Sequence, residues 1–160
     1  MTSSPTVPAG LAELYEQDFC LWAEATALLL KDGRFSALDL AHLIEEIEDM
    51  SGSQKRAVFS NLRVLLLHLL KYKYQADKRS QSWLSTIVEH RLRIEDDLDA
   101  SPSLKAYLRE NVPKAYQKAR KQAAIETGLP MDTFPEQCPF TQADVVNLDW
   151  LPDCSDGQFD

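Results

Sequence analysis

Apolar residues recur at helical spacing along most of the chain up to Gly128, and no stretch alternates apolar and polar positions long enough to suggest a sheet strand. A first helix is expected over Leu11–Lys31, with Leu14, Leu21, Ala25, Leu28 and Leu29 as its stripe and Gly33 just past its end. "SALD" (36–39) has capping-box form, with Ser36 as N-cap and Asp39 reaching back, and opens a second helix running to about Met50. On that helix Leu40, Leu43, Ile44, Ile47 and Met50 define the buried face. Gly52 is expected to break the chain and Ser53 to cap a third helix, whose Val58, Leu62, Leu65, Leu66, Leu69 and Leu70 sustain an apolar face. A polar hinge, "ADKRSQS" (76–82), leads into a fourth helix from about Trp83 to Leu98, with Ser82 as the cap. "SPSL" (101–104) offers Ser101 as N-cap and Pro102 as first residue of a fifth helix, kinked or split at Pro113 and stopped by Gly128.

Beyond Gly128 the periodicity fades and Pro130, Pro135, Pro139 and Pro152 appear, with "TQAD" (141–144) able to start one short helix. Phe134, Phe140 and Trp150 call for burial, so this region is expected to be ordered against the body. The fold class expected is all-α: an antiparallel bundle of about five helices with an ordered, proline-rich acidic C-terminal wrap. With 160 residues and 44% hydrophobic content, one domain is expected over 1–160. Within it, 1–10 would be a disordered tail, 11–128 the bundle, 129–152 the wrap and 153–160 a flexible tail.

Charge narrows the function classes. The net charge is −8, yet residues 1–121 carry 17 acidic and 17 basic groups, while 122–160 carry eight acids and no Lys or Arg. Nucleic acid is therefore a poor general partner, although Lys114, Lys118 and Lys121 share one face of the fifth helix. "VLLLHLL" (64–70) is too short to span a bilayer, so no membrane role is expected. "MTSSPTVPAG" has neither the basic nor the apolar region of a signal peptide. Cys20, Cys138 and Cys154 are odd in number and form no CxxC, which argues against a disulfide framework or zinc knuckle and for a reduced, cytoplasmic protein.

The densest chemistry lies in "HLIEEIEDM" (42–50). Glu45 or Glu46 with Asp49, one turn later, can converge on one point, an oxygen-rich arrangement suited to Mg or Mn, and His42 would suit a softer ion. Carboxylates opposite an apolar stripe also serve simply as a solvated face or a salt-bridge network. On the third helix His68, Lys71, Gln75 and Arg79 flank the apolar face, where they would meet Glu45, Glu46 and Asp49 across a helix interface. Thr86, His90 and Arg91 on the fourth helix would join them, although single helical histidines are commonly just hydrogen-bonded parts of the structure.

Taken together, "DFCLWAEATALLLKDGRFSALDLAHLIEEIEDM", "HLLKYKYQ", "RSQSWLSTI", "SPSL", "ETGLP" and "FPEQCPF" resemble a bacterial family, the domain of unknown function numbered twenty-nine. The resemblance spans about Leu11 to Pro152, implies an all-helical protein and brings no activity with it. The polar positions matching its pattern are Glu45, Glu46, Asp49, His68, Lys71, Gln75, Arg79, Ser82, Trp83, Thr86 and Arg91, whereas His90 stands where many relatives carry Gln. The "EExxD" of Glu45, Glu46 and Asp49 is also similar to half of the metal motif of all-helical nucleotide pyrophosphatases. The second ExxD those enzymes need is missing, since Glu95 is followed three places on by Leu98.

The function expected is an interaction or scaffold module with an interhelical ionic network, bound to another protein or to a second copy. The alternative is a hydrolase of a nucleotide or other phosphorylated compound. Glu45, Glu46 and Asp49 would hold its Mg or Mn, and Lys71, Arg79 or Arg91 would neutralise phosphate. A further alternative is nucleic-acid binding through the basic fifth helix.

Overall fold

Six α-helices and three short 3-10 turns, without a strand, make up the secondary structure of residues 10–153, the part of the chain that the computed structural model describes. The tails expected at 1–10 and 153–160 fall almost wholly outside those residues, as does Cys154. The described chain divides into two compact units, Met1–Gly52 and Ser53–Asp160.

Where one helix was expected at the start there are two, α1 (Leu11–Gln17) and α2 (Phe19–Lys31). Asp18 interrupts them in extended conformation, and its carboxylate accepts from the Leu21 N–H at 3.1 Å. Aspartate is a weak interior residue and a strong cap, so the chain uses it to start again. The end of α2 is as expected at Gly33. Its N–H donates to the Leu30 carbonyl and that of Arg34 to the Leu29 carbonyl, the paired bonds of a Schellman motif, with Gly33 at φ 69°.

Helix α3 (Leu40–Tyr74) replaces the expected second and third helices. Gly52 does not break it, because one glycine costs a helix about 1 kcal/mol, whereas a restart needs a new nucleus and new caps. Its first turn is capped by Asp39, which accepts from the His42 N–H at 3.4 Å. Ser36 sits instead in the 3-10 turn Phe35–Ala37. The same kind of shift recurs at α4 (Gln81–Ala100), where Ser80, not Ser82, accepts from the Trp83 N–H at 3.3 Å. Helix α5 (Leu104–Thr127) runs through Pro113 unsplit and ends, as expected, at Gly128 with φ 71°. The Ser101 hydroxyl does not cap it and donates to Gln54 instead. The last helix, α6 (Gln142–Val146), is capped by Thr141.

The core belongs to the second unit. Leu65, Leu66, Leu67, Leu69 and Leu70 are all buried, so this turn of α3 is covered on nearly every side. Ile87 and Ile94 of α4 join it, with Leu104, Leu108, Ala115, Tyr116, Ala119 and Ala123 of α5. Phe134, Phe140 and Val145 complete it from beyond Gly128, and Trp150 packs edge-on against Phe140. In the first unit Leu14 and Trp22 are buried, and Tyr15 meets Trp22 edge-on at 5.0 Å between ring centres. The expected buried face of the carboxylate-bearing helix is the main departure. Leu40, Ile44, Ile47 and Met50 are 57%, 54%, 58% and 69% exposed.

Candidate functional site

The carboxylates of "HLIEEIEDM" do not gather around one point. Glu46 alone turns inward, accepting from the Tyr15 hydroxyl at 2.5 Å, while Glu45 and Asp49 are exposed. Tyr15 also stacks on the His42 ring, 4.0 Å between centres and 18° between planes, and His42 bonds the Asp39 carboxylate at 2.6 Å. This chain of contacts locks α1 to the start of α3. The bond to Glu46, aided by partial burial, pushes the Tyr15 hydroxyl up to about 12, so it remains a donor. Partial burial pushes the Asp39 carboxyl up, but its bonds to the His42 ring and backbone outweigh that and hold it below the usual range. Among the described residues, no three His, Cys, Asp or Glu side chains are placed to hold a metal ion.

The cationic stripe has partners of its own in the second unit. Lys71 pairs with Glu126 of α5 at 3.0 Å and lies over the Trp83 ring, 4.7 Å from its centre. Glu126 also accepts from Gln122 at 2.9 Å, and Gln122 in turn accepts from Arg63. Burial pushes the Glu126 carboxyl up, and its bonds to Lys71 and Gln122 more than offset this, holding it down. His68 donates from Nδ1 to the Val64 carbonyl at 2.9 Å, and His90 donates from Nδ1 to Asn61 at 2.7 Å. Burial draws both imidazoles below their ordinary value, which keeps them neutral near pH 7. Gln75 reaches the Thr127 carbonyl at 3.5 Å, and Thr86 bonds back to Ser82 within its own helix.

Two arginines expected at a site hold backbone instead. Arg79 donates to the Tyr72 carbonyl at 2.8 Å and lies 4.0 Å over the Tyr72 ring, leaving one buried guanidinium nitrogen without a partner. Arg91, 1% exposed, donates to the carbonyls of Val145, Trp150 and Asp144 at 2.8, 2.7 and 3.2 Å. From α5, Tyr116 and Arg120 likewise donate to the Pro135 and Phe134 carbonyls, at 2.6 and 2.9 Å.

The structure thus brings Lys71 together with Trp83, Glu126 and, through Glu126, Gln122, and brings His90 together with Asn61; Glu126, Gln122 and Asn61 are residues that sequence reasoning did not single out. Only the i, i+4 spacing of Gln122 and Glu126 hinted at one of these bonds. The expected meeting of Glu45, Glu46 and Asp49 with the cationic stripe depended on two facing helices. Because α3 is one helix, these side chains share an element on which only positions three or four apart are neighbours.

The class defined by these features is an all-helical domain whose polar side chains mostly fasten one helix or carbonyl to another, and whose α3 leaves an apolar face open. The chain belongs to the family described as Domain of unknown function DUF29, whose model matches residues 14–151, as the motifs had suggested. No curated protein matches the chain, and no solved structure does. Among the described residues, no helix is long and apolar enough to cross a membrane.

Proposed function

We propose that this protein is an interaction module that docks a protein partner on the exposed apolar face of α3. One observation carries the reading: Leu40, Ile44, Ile47 and Met50 lie on one side of the helix, each more than half exposed. Large apolar residues grouped on one face, unlike scattered ones, mark interaction surfaces. The ionic contacts, of which Lys71 with Glu126 is the clearest, serve in this reading to hold the helices of the second unit in place. In this reading the helices of the second unit form an antiparallel bundle, and the segment 129–152 wraps it. Support comes from the carbonyls of that segment, which Arg91, Tyr116 and Arg120 grip.

The double substitution Ile44→Ser, Ile47→Ser tests the reading. Removing two core isoleucines would cost several kcal/mol, whereas exposed positions change stability by within about 0.5 kcal/mol each. The melting temperature should therefore hold, while self-association or retention of a partner shown by the unsubstituted chain is lost. A large fall in melting temperature, or identical association by both chains, would refute the proposal.

A further inference from the structure

Lys114 and Lys118 of the basic α5 face stand beside a second row contributed by α3, where Lys55, Phe59 and Arg63 recur at i, i+4 and i+8. Nζ of Lys114 and Nζ of Lys118 both lie over the Phe59 ring, 5.8 and 5.4 Å from its centre. Nζ of Lys55 lies 5.9 Å over the ring of Tyr107 on α5, and Arg63 closes the seam by donating to Gln122. Lys121 continues the α5 row one turn beyond Lys118. Lys55, Lys114, Lys118 and Lys121 are exposed, and among the described residues none has a carboxylate within ion-pair reach. Glu110 is the one acid between Tyr107 and Lys121. The ring contacts sit near the outer limit of about 6 Å for such attraction, so these ammoniums are weakly held and free to turn to an anion. Phe59 and Tyr107 are half-buried and keep part of each ring open. Unpaired cations interleaved with aromatic rings are the combination that holds a phosphate backbone while bases stack. We infer that this seam binds a short stretch of single-stranded nucleic acid, with phosphates on Lys55, Lys114, Lys118 and Lys121 and a base against Tyr107. The net charge of −8 confines the attraction to the seam, which spans about 12 Å from Lys55 to Arg63. A flexible strand can lie in it and turn away, whereas a duplex is stiff and its bases are already stacked on one another.

The seam lies within the second unit and is independent of the docking face proposed at Leu40–Met50. Its test is fluorescence anisotropy of a labelled oligothymidylate of about 12 nucleotides, titrated with the full chain. About four neutralised phosphates give a salt slope of about −2.8, so affinity should fall roughly fiftyfold between about 50 and about 200 mM salt. Lys114→Gln with Lys118→Gln should weaken binding at least tenfold at the lower salt and bring the slope to about −1.4. Lys105→Gln with Arg109→Gln, on the other side of α5, should change it less than about threefold. Tyr107→Leu keeps apolar bulk and should weaken binding at least fivefold with no change of slope, since a ring carries no charge. Circular dichroism confirms that each variant is folded, and the two basic pairs decide alone if Tyr107→Leu is not. Absence of binding at the lower salt, or equal losses in the two pairs, would overturn the site. Tighter binding to a polyglutamate peptide or to phosphatidylserine vesicles than to the oligonucleotide would overturn the nucleic acid and assign the seam to an acidic protein or a membrane surface. Tighter binding to a duplex of the same length would overturn the single strand.

Discussion

Arg91 illustrates how a residue that reads as chemistry can be structural. Its guanidinium is buried, faces three carbonyls and has no carboxylate partner among the described residues. Two of those carbonyls belong to α6 near its C-terminal end, where exposed carbonyl dipoles favour a cation. Arg91→Ala should cost roughly 3–5 kcal/mol in urea unfolding, because a buried network loses its donor and the carbonyls stay buried. Arg91→Lys should recover little, since a point charge cannot span three acceptors. His68 and His90 predict a pH dependence. Their folded pKa values lie below the unfolded one, so the unfolded chain takes up protons first as pH falls through about 6.5. Stability should therefore decline from that point down to the depressed folded values, at up to about 1.4 kcal/mol per pH unit for each histidine. Urea midpoints measured from about pH 7.5 to about pH 5 should show the slope, and His68→Asn with His90→Gln should flatten it. Residue types marked Lys71 and His90 as polar members of the candidate network, but not their partners. Pairing with Glu126 or Asn61 is a long-range fact that local spacing does not carry.

At the scale of elements, glycine separates what was legible from what was not. Gly33 and Gly128 stop helices, as read from the chain, and both have positive φ. Gly52 has no positive φ and lies inside α3, where the same residue type had suggested a break. The difference is testable. Gly52→Ala should raise stability by about 0.5–1 kcal/mol, the usual gain in a helix interior, whereas Gly33→Ala and Gly128→Ala should lower it by roughly 1 kcal/mol. Thermal unfolding of the three variants would decide, and a loss at position 52 would argue against a continuous helix. The apolar stripe of the Leu40–Met50 stretch was legible as a stripe but not as an open one. Periodicity shows that residues share a face and is silent on whether a neighbour covers it. The cap positions slipped for a related reason: Asp39 and Ser80 compete with Ser36 and Ser82 for adjacent N–H groups, and a few tenths of a kcal/mol decides.

For the whole chain, charge alternates by segment: net −8 over 1–52, +8 over 53–121 and −8 over 122–160. The all-helical class was legible throughout, because helix period and caps are local signals, and so was the burial of Phe134 and Phe140. A chain ending at Gly128 would lack Phe134, Phe140 and Val145 of the core, together with every carbonyl that Arg91 holds. Burying one phenylalanine is worth about 1.5–3 kcal/mol against a total stability of about 5–15 kcal/mol. That truncation should abolish cooperative unfolding of the second unit by calorimetry, and limited proteolysis of the full chain should spare 129–152; rapid trimming to Gly128 without loss of melting temperature would contradict both. The grip of Arg91 on carbonyls 53 to 59 residues further along the chain also has a meaning in time. A ribosome adds about 5–20 residues per second and completes Arg91 well before Trp150. For those seconds the leucines of α3 and the guanidinium of α4 are waiting on residues not yet made. The second unit therefore closes only once Trp150 has left the ribosome, and a chain stalled or clipped before that point exposes its most apolar helix to chaperones and proteases.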